Sequence, residues 1–286
     1  MGARPQVTLR DVLFLCHAKP KDEEQAALWK RLVDRKLVTP DTWEVALSGG
    51  ADKAATFVRL MAEKQLGALA FLRNLRNMNE AGLDADVVQA YGQAVDIARV
   101  LPFRFIAAAR AVPAWEHIIE PMMLRACEGR EKLPGKTVVL LDVSGSMDAP
   151  ISAKSDLQRL DAACGVAILL RELCADVEVM TFSTQVVQVP ARRGFALRDA
   201  VVHSQPHGGT YLGAAVTAIN SQRTYDRLVV LTDEQSADKV PAPKAKGYVI
   251  NVASNKNGVG YGPWTHIDGW SEACIDFIQE SEKNAA

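Results

Sequence analysis

Apolar residues in the first half of the chain recur at helical spacing. Leu66, Leu69, Leu72, Leu75 and Met78 stand three positions apart until Gly82 breaks the pattern, which predicts one amphipathic helix with a single buried stripe. Leu28, Leu32 and Val33 share a face of an earlier helix opened by Asp22 or the lysines before it. Thr39-Pro40 reads as a cap followed by a first-turn proline, ahead of Trp43, Val45 and Leu47. Asp84 caps a helix whose buried side carries Val87, Val88, Tyr91 and Val95. Pro102, Pro113 and Pro121 punctuate the next stretch, and Pro121, inside the run 115–127, is expected to end or kink a helix. Such short helices cannot each bury their own face. Periodicity leaves two arrangements open, a HEAT-like solenoid and an ordinary bundle.

The period then changes. After Glu128, Gly129, Arg130 and Pro134 come continuous apolar runs separated by helical stretches. Residues 138–142, 177–182, 228–232 and 248–252 read as strands, with a short edge run at 186–189, and 157–173, 211–220 and 271–279 read as helices. Alternation of this kind builds an α/β, Rossmann-like doubly wound sheet with right-handed crossovers. The expected organisation is a helical domain over 1–130 and an α/β domain over 135–286.

Composition narrows the function classes. With 286 residues, 48% hydrophobic and 23% charged, the chain has apolar material for about two domains with cores. A formal net charge of −1 excludes coating nucleic acid by bulk positive charge, so any RNA contact must come from a local basic surface. The five cysteines, Cys16, Cys127, Cys164, Cys174 and Cys274, include no Cys-x-x-Cys pair and read as reduced thiols. Cys164 and Cys174 fall in an apolar helical stretch, where cysteine acts as a small hydrophobe. Neither structural zinc nor a disulfide scaffold is expected. Residues 1–6 hold no apolar signal region, and no run approaches the ~18 apolar residues of a membrane span. The cytoplasm is the expected location.

Candidate chemistry sits at strand ends. Asp142-Val143-Ser144-Gly145-Ser146 comes directly after the apolar run 137–141, Gly208-Gly209-Thr210 offers a hydroxyl on a tight loop, and Asp233 ends the run 228–232. Asp-x-Ser-x-Ser alone is also compatible with a serine-rich turn capping a helix. Two acids at the carboxyl ends of buried runs, where open α/β sheets bind ligands, favour a metal site instead. Mg²⁺ takes six oxygen ligands in a near-octahedral cage. With Ser144, Ser146 and Thr210 coordinating directly, and Asp142 and Asp233 acting mainly through water, the ion is undercompensated and draws in an outside anion. The positive end of a helix starting near Ser155 would help. All-oxygen ligands favour Mg²⁺, while Mn²⁺ or Ca²⁺ also fit.

These positions resemble the metal-ion-dependent adhesion site (MIDAS) of von Willebrand factor A domains. Together with Met147, Thr232-Asp233-Glu234-Gln235-Ser236 and the stretch 255–270, from Asn255 to Trp270, they are similar to the A domain of bacterial Ro60-type (TROVE) proteins. Residues 9–20, 72–78 and 99–104 resemble segments of the helical ring that precedes that domain. The resemblance implies an all-α HEAT-like segment followed by a von Willebrand factor A domain, and a small ribonucleoprotein that binds non-coding RNA.

On composition alone, Arg10, His17, Lys19 and Lys21 could be a solvated face. The resemblance places their segment on the surface that engages structured Y RNA, with Arg10 and His17 favoured most. Arg73 and Arg76 resemble basic ring positions where single-stranded RNA ends pass; Arg104 and Arg110 rank behind them. Residues 1–130 hold fewer helical repeats than the family's ring. The expectation is therefore a ring completed by another polypeptide, a shortened relative, or a fragment.

Enzymatic readings fit the motifs less well. An aspartyl-phosphate phosphatase would carry an acid where Ser144 stands, and a serine hydrolase would need Gly-x-Ser-x-Gly around Ser144. His207, three residues from Thr210, reads as a rim residue; His203 and His266 are the other candidate bases. The leading expectation is a non-enzymatic RNA-binding scaffold whose metal site recruits a protein partner through an acidic side chain, with neither membrane nor DNA as partner. The alternative is a purely protein-binding adhesion module without RNA contact.

Overall fold

The computed structural model describes residues 7–98, 100, 103–152, 157–253, 258–259, 262–271 and 273–284. Several sequence expectations fall on Leu101, Pro102, Ser155, residues 255–257, Gly260 and Tyr261, which lie outside them. Contacts divide the chain into Met1–Thr56 and Phe57–Ala286.

The first unit contains α1 (Leu9–Leu15), α2 (Glu23–Val33) and α3 (Trp43–Ser48), and ends within α4 (Lys53–Ala62). Local capping sets these boundaries. Thr8 and Asp11 form a reciprocal capping box on α1, and Asp22 accepts from the Gln25 amide at 2.8 Å. The cap of α3 is Thr42, not Thr39: Thr42 is extended and accepts from the Val45 amide, so Pro40 precedes the helix instead of opening it. No residue of these three helices is buried.

In the second unit α5 (Ala68–Glu80), α6 (Ala85–Ala94), α7 (Phe103–Ala111) and α8 (Glu116–Arg125) continue the helical region. Phe71, Leu72, Leu75 and Met78 of α5 are buried, whereas Leu69 is 43% exposed. A strict three-residue repeat drifts around a 3.6-residue turn, and Phe71, not Leu69, continues the buried face. Each fully buried Phe, Leu or Met contributes about 1.5–3 kcal/mol. The end of α6 is closed by Arg125, whose guanidinium donates to the carbonyls of Gly92, Gln93 and Val95 at 2.8–3.1 Å.

The sequence predicts an end or a kink at Pro121, and helix α8 does not end there but runs through it. The carbonyl left without its amide is that of His117, and both residues are on the exposed face where water can serve it. Ile118, Ile119, Met122 and Met123 hold the opposite face in the core.

The sheet has six strands: β1 (Leu133–Asp142), β2 (Cys174–Phe182), β3 (Val186–Gln188), β4 (Arg227–Thr232), β5 (Lys246–Asn251) and β6 (Thr265–Asp268). Their order is β3-β2-β1-β4-β5-β6, parallel except for the β2–β3 hairpin. Cys174 opens β2 directly after α9 (Arg159–Leu173), so it is a strand residue and not a helical one. Helix α9 is buried on nearly all sides because it lies between the sheet and the helices α7 and α10 (Gly194–Val202). Helices α11 (Leu212–Gln222) and α12 (Ala273–Lys283) complete the layers.

The helical region is fastened to α10. Glu116 makes a two-pronged pair with Arg198, and Glu120 accepts the Phe195 amide at 2.6 Å. Gly194 has φ +55° and its missing Cβ points at the Glu120 carboxylate, so any side chain there would be strained and would have to push that carboxylate off the Phe195 amide. Among the described residues no helix is long and apolar enough to cross a membrane.

Candidate metal centre

The chain passes from β1 to β2 and β3 on one side, then returns to β4 on the other. The crevice at the carboxyl ends of β1 and β4 is thus the topological switch point, where open α/β sheets take ligands. Asp142 ends β1 there and Asp233 immediately follows β4.

Asp142 is fully buried. Its Oδ1 accepts the Ser144 amide at 2.8 Å and its Oδ2 accepts the Thr232 hydroxyl at 2.6 Å. Burial pushes its carboxyl up to about 6, against the hydrogen bonds from Ser144 and Thr232, and the charge of Asp233 adds to the rise. A buried carboxylate in this position favours a nearby cation.

Ser144 leaves the strand extended and a 3-10 turn, Gly145–Asp148, brings Ser146 back beside it. The two hydroxyl oxygens are 3.2 Å apart. Adjacent ligands of an octahedral Mg²⁺ at 2.0–2.1 Å stand about 3 Å from each other, so this pair matches one edge of such a cage.

Backbone bonds tie the other loops to this turn. Gly145 donates to the Gly208 carbonyl at 3.1 Å; Gly208 donates to the Ser183 hydroxyl at 2.8 Å; Ser183 donates on to the Gly209 carbonyl at 3.2 Å. The Thr210 carbonyl accepts the Ala237 amide at 2.8 Å from the loop after β4. Asp142, Ser144, Ser146, Thr210 and Asp233 therefore lie on loops that meet at one rim. Ser183, which ties the end of β2 to the Gly208-Gly209-Thr210 loop, carries no sequence motif; its only signal is a small hydroxyl residue directly after the apolar end of β2.

Asp233 is fully buried, and its Oδ2 accepts from Arg159 Nη1 at 2.6 Å. The same Nη1 reaches the Ser146 carbonyl at 3.3 Å. Sequence reasoning missed Arg159 because its partner is 74 positions away. The helix it opens begins at Arg159, with Gln158 as cap, rather than near Ser155.

Glu234 is also buried and adopts φ +60°, a left-handed conformation rare outside glycine and asparagine. Its Oε2 accepts the amides of Gly258 and Val259 at 3.1 and 3.4 Å, and its Oε1 lies 3.2 Å from His266 Nδ1. His207 lies with Nδ1 3.1 Å from Asp148 and Nε2 3.1 Å from the Val202 carbonyl, while His203 Nδ1 is 2.8 Å from the Asp199 carbonyl. His203, His207 and His266 thus each have a hydrogen-bonding partner.

The donor set suits a hard cation held largely by hydroxyls. Among the described residues no group of three or more His, Cys, Asp or Glu is arranged to hold a metal.

The basic candidates fall in both units. Arg10 is exposed on α1 with its guanidinium 5.6 Å from the Phe14 ring centre. His17 takes φ +46° just past the end of α1, and Lys19 and Lys21 come next, exposed, on the way to α2; Lys21 lies 3.6 Å from Asp22. Arg73 and Arg76 stand one turn apart on the exposed face of α5. Arg104 lies 4.6 Å from the Phe103 ring centre, and Arg110 is 3.7 Å from Asp161.

Two domain families match the chain, the TROVE domain over residues 17–155 and the Ro60 vWA domain over 136–246. No curated protein matches it. The fold is similar to the crystal structure of the Ro (Rsr) protein of Deinococcus radiodurans, with 20% identity and a TM-score of 0.60 over 94% of this chain and 68% of that one. Two smaller structures each cover 52% of this chain and 98% of their own at 16% identity: an aerotolerance-related membrane protein from Bacteroides fragilis, TM-score 0.38, and the conserved hypothetical protein BatB from Bacteroides thetaiotaomicron, TM-score 0.35.

Proposed function

We propose, for a chain that belongs to the Ro60-type TROVE family of RNA-binding ribonucleoprotein scaffolds, a non-enzymatic scaffold for small structured, Y-like RNA whose metal rim recruits a protein partner. RNA quality control or processing in the cytoplasm is the setting this reading implies. The functional boundary lies between 130 and 135, with the helical part holding RNA and the A domain holding the partner.

The observation that carries the recruiting role is the Ser144–Ser146 hydroxyl pair, 3.2 Å apart beside the buried Asp142. Ser144, Ser146 and Thr210 would hold a divalent ion, Mg²⁺ by preference, through neutral oxygens, while Asp142 and Asp233 balance its charge through bridging water. A bound ion would supply an open coordination position to an acidic side chain. Asp142 keeps its orientation through Ser144 and Thr232, so the rim is set before any partner arrives.

Arg10, His17, Lys19 and Lys21 are the residues proposed to engage structured RNA, and Arg73 and Arg76 single-stranded ends. Their exposure on helix faces and connections supports this reading. Titration of the protein with a small structured RNA at increasing salt tests it. Binding should weaken steeply with salt; removing Arg10 should lower the affinity and reduce the salt slope by about one, and removing His17 should lower the affinity. Absence of salt-sensitive binding would leave the purely protein-binding adhesion module as the surviving reading.

A further inference from the structure

Arg159 stands at the first position of α9, an unfavourable place for a cation because the amino end of a helix is already positive. Its head is not free in solvent. It is 20% exposed and donates to Asp233 and to the Ser146 carbonyl, both on the metal rim. The backbone fixes the base of this side chain: the Arg159 amide donates to the Ala149 carbonyl at 3.0 Å, Ile151 donates to Leu157 at 2.9 Å, and Pro150 bridges Gln158. Asp161 accepts the Gln158 amide at 2.8 Å and closes the helix end. The neck of the loop after the Ser146 turn therefore aims one guanidinium at the acid of the metal rim.

Asp233 is fully buried, its Oδ2 is taken by Arg159 and its Oδ1 accepts the Gln235 amide at 3.3 Å, so a divalent ion drawing on this carboxylate competes with the guanidinium already there. We propose that Arg159 is a tethered competitor of the divalent ion. Its guanidinium occupies Asp233 when the ion is away and swings out when the ion loads, using the 20% of its surface already open to solvent. This inference rests on the metal reading of the rim. The site then fills only above a metal level set by the Arg159–Asp233 pair, and the released guanidinium adds positive charge beside the incoming acidic partner.

Direct titration with Mn²⁺, following free ion by electron paramagnetic resonance, tests this on the full chain. Arg159→Gln should bind Mn²⁺ at least about tenfold more tightly than the unaltered protein, the scale expected for losing a competing charge-assisted hydrogen bond. Arg159→Lys, which keeps the charge but not the forked head, should fall between them. Adding Ser144→Ala to Arg159→Gln should abolish the gain, which places the ion at this rim. Thermal melts in chelator check that each variant is folded. Equal affinity with and without Arg159, or weaker binding in Arg159→Gln, would overturn the competition while leaving the metal reading intact. Failure of both proteins to bind at millimolar Mn²⁺ would overturn the metal reading and this inference together.

Discussion

Thr232 donates its hydroxyl to Asp142 Oδ2 at 2.6 Å, a bond that crosses from β4 to β1 at the switch point of the sheet. It fixes the acid of one loop from the strand that delivers the other acid, Asp233. Thr232→Val keeps the shape and the strand propensity but leaves a buried carboxylate oxygen without its donor. The expected cost is about 1–3 kcal/mol in urea denaturation under chelating conditions, together with weaker Mg²⁺ binding in the same protein.

Asp142→Asn tests the charge balance of the rim. The buried carboxylate destabilises the chain when nothing neutralises it, so the variant should melt higher than the unaltered protein in chelator. In saturating Mg²⁺ the order should reverse, because the carboxylate form gains more from the ion. Melting curves of both proteins with and without Mg²⁺ read this directly.

At the opposite end of the sheet Arg227, 1% exposed on β4, donates to Glu282 of α12 and to Thr137 of β1 at 2.8 Å. Burial works to raise the Glu282 carboxyl, but the guanidinium of Arg227 outweighs it and holds the group below the usual carboxylate range. Its folded value is lower than its unfolded one. The stabilisation is therefore fully present above the unfolded value of about 4.5 and is lost as pH falls through the folded value. Glu282→Gln should flatten the decline in stability between about pH 5 and 3. Arg227→Ala should cost about 1–3 kcal/mol at neutral pH, because Glu282 keeps Lys246 at 3.2 Å and the Tyr248 hydroxyl at 3.1 Å.

Arg73 and Arg76 share the exposed face of α5, away from the buried Phe71, Leu72, Leu75 and Met78. Replacing both with alanine should leave the melting temperature within a degree or two and weaken binding of single-stranded RNA extensions, measured by fluorescence anisotropy with and without a 3′ extension. Equal loss for both RNAs would place these residues on the structured-RNA surface instead.

The parallel strands are legible in the sequence because β1, β4 and β5 are buried along most of their length and so appear as unbroken apolar runs. Strand β6 escapes notice since Thr265-His266-Ile267-Asp268 is a half-exposed edge with one apolar residue. Helix α10 is obscured by Arg192, Arg193 and Gly194 at its start, where the glycine serves Glu120 and not a turn. The acids at strand ends can be read from position alone. What holds their loops together cannot: Ser183 and Arg159 act through partners 25 to 74 residues distant, and no local period records such a pairing.

If hydroxyls from the β1 exit loop and the Gly208-Gly209-Thr210 loop share one divalent ion, crystals grown with Mn²⁺ and measured at its absorption edge give the most direct test. One anomalous peak is expected within about 2.3 Å of the Ser144, Ser146 and Thr210 hydroxyl oxygens. A peak elsewhere, or none at that rim in the Arg159→Gln protein, would contradict the shared site.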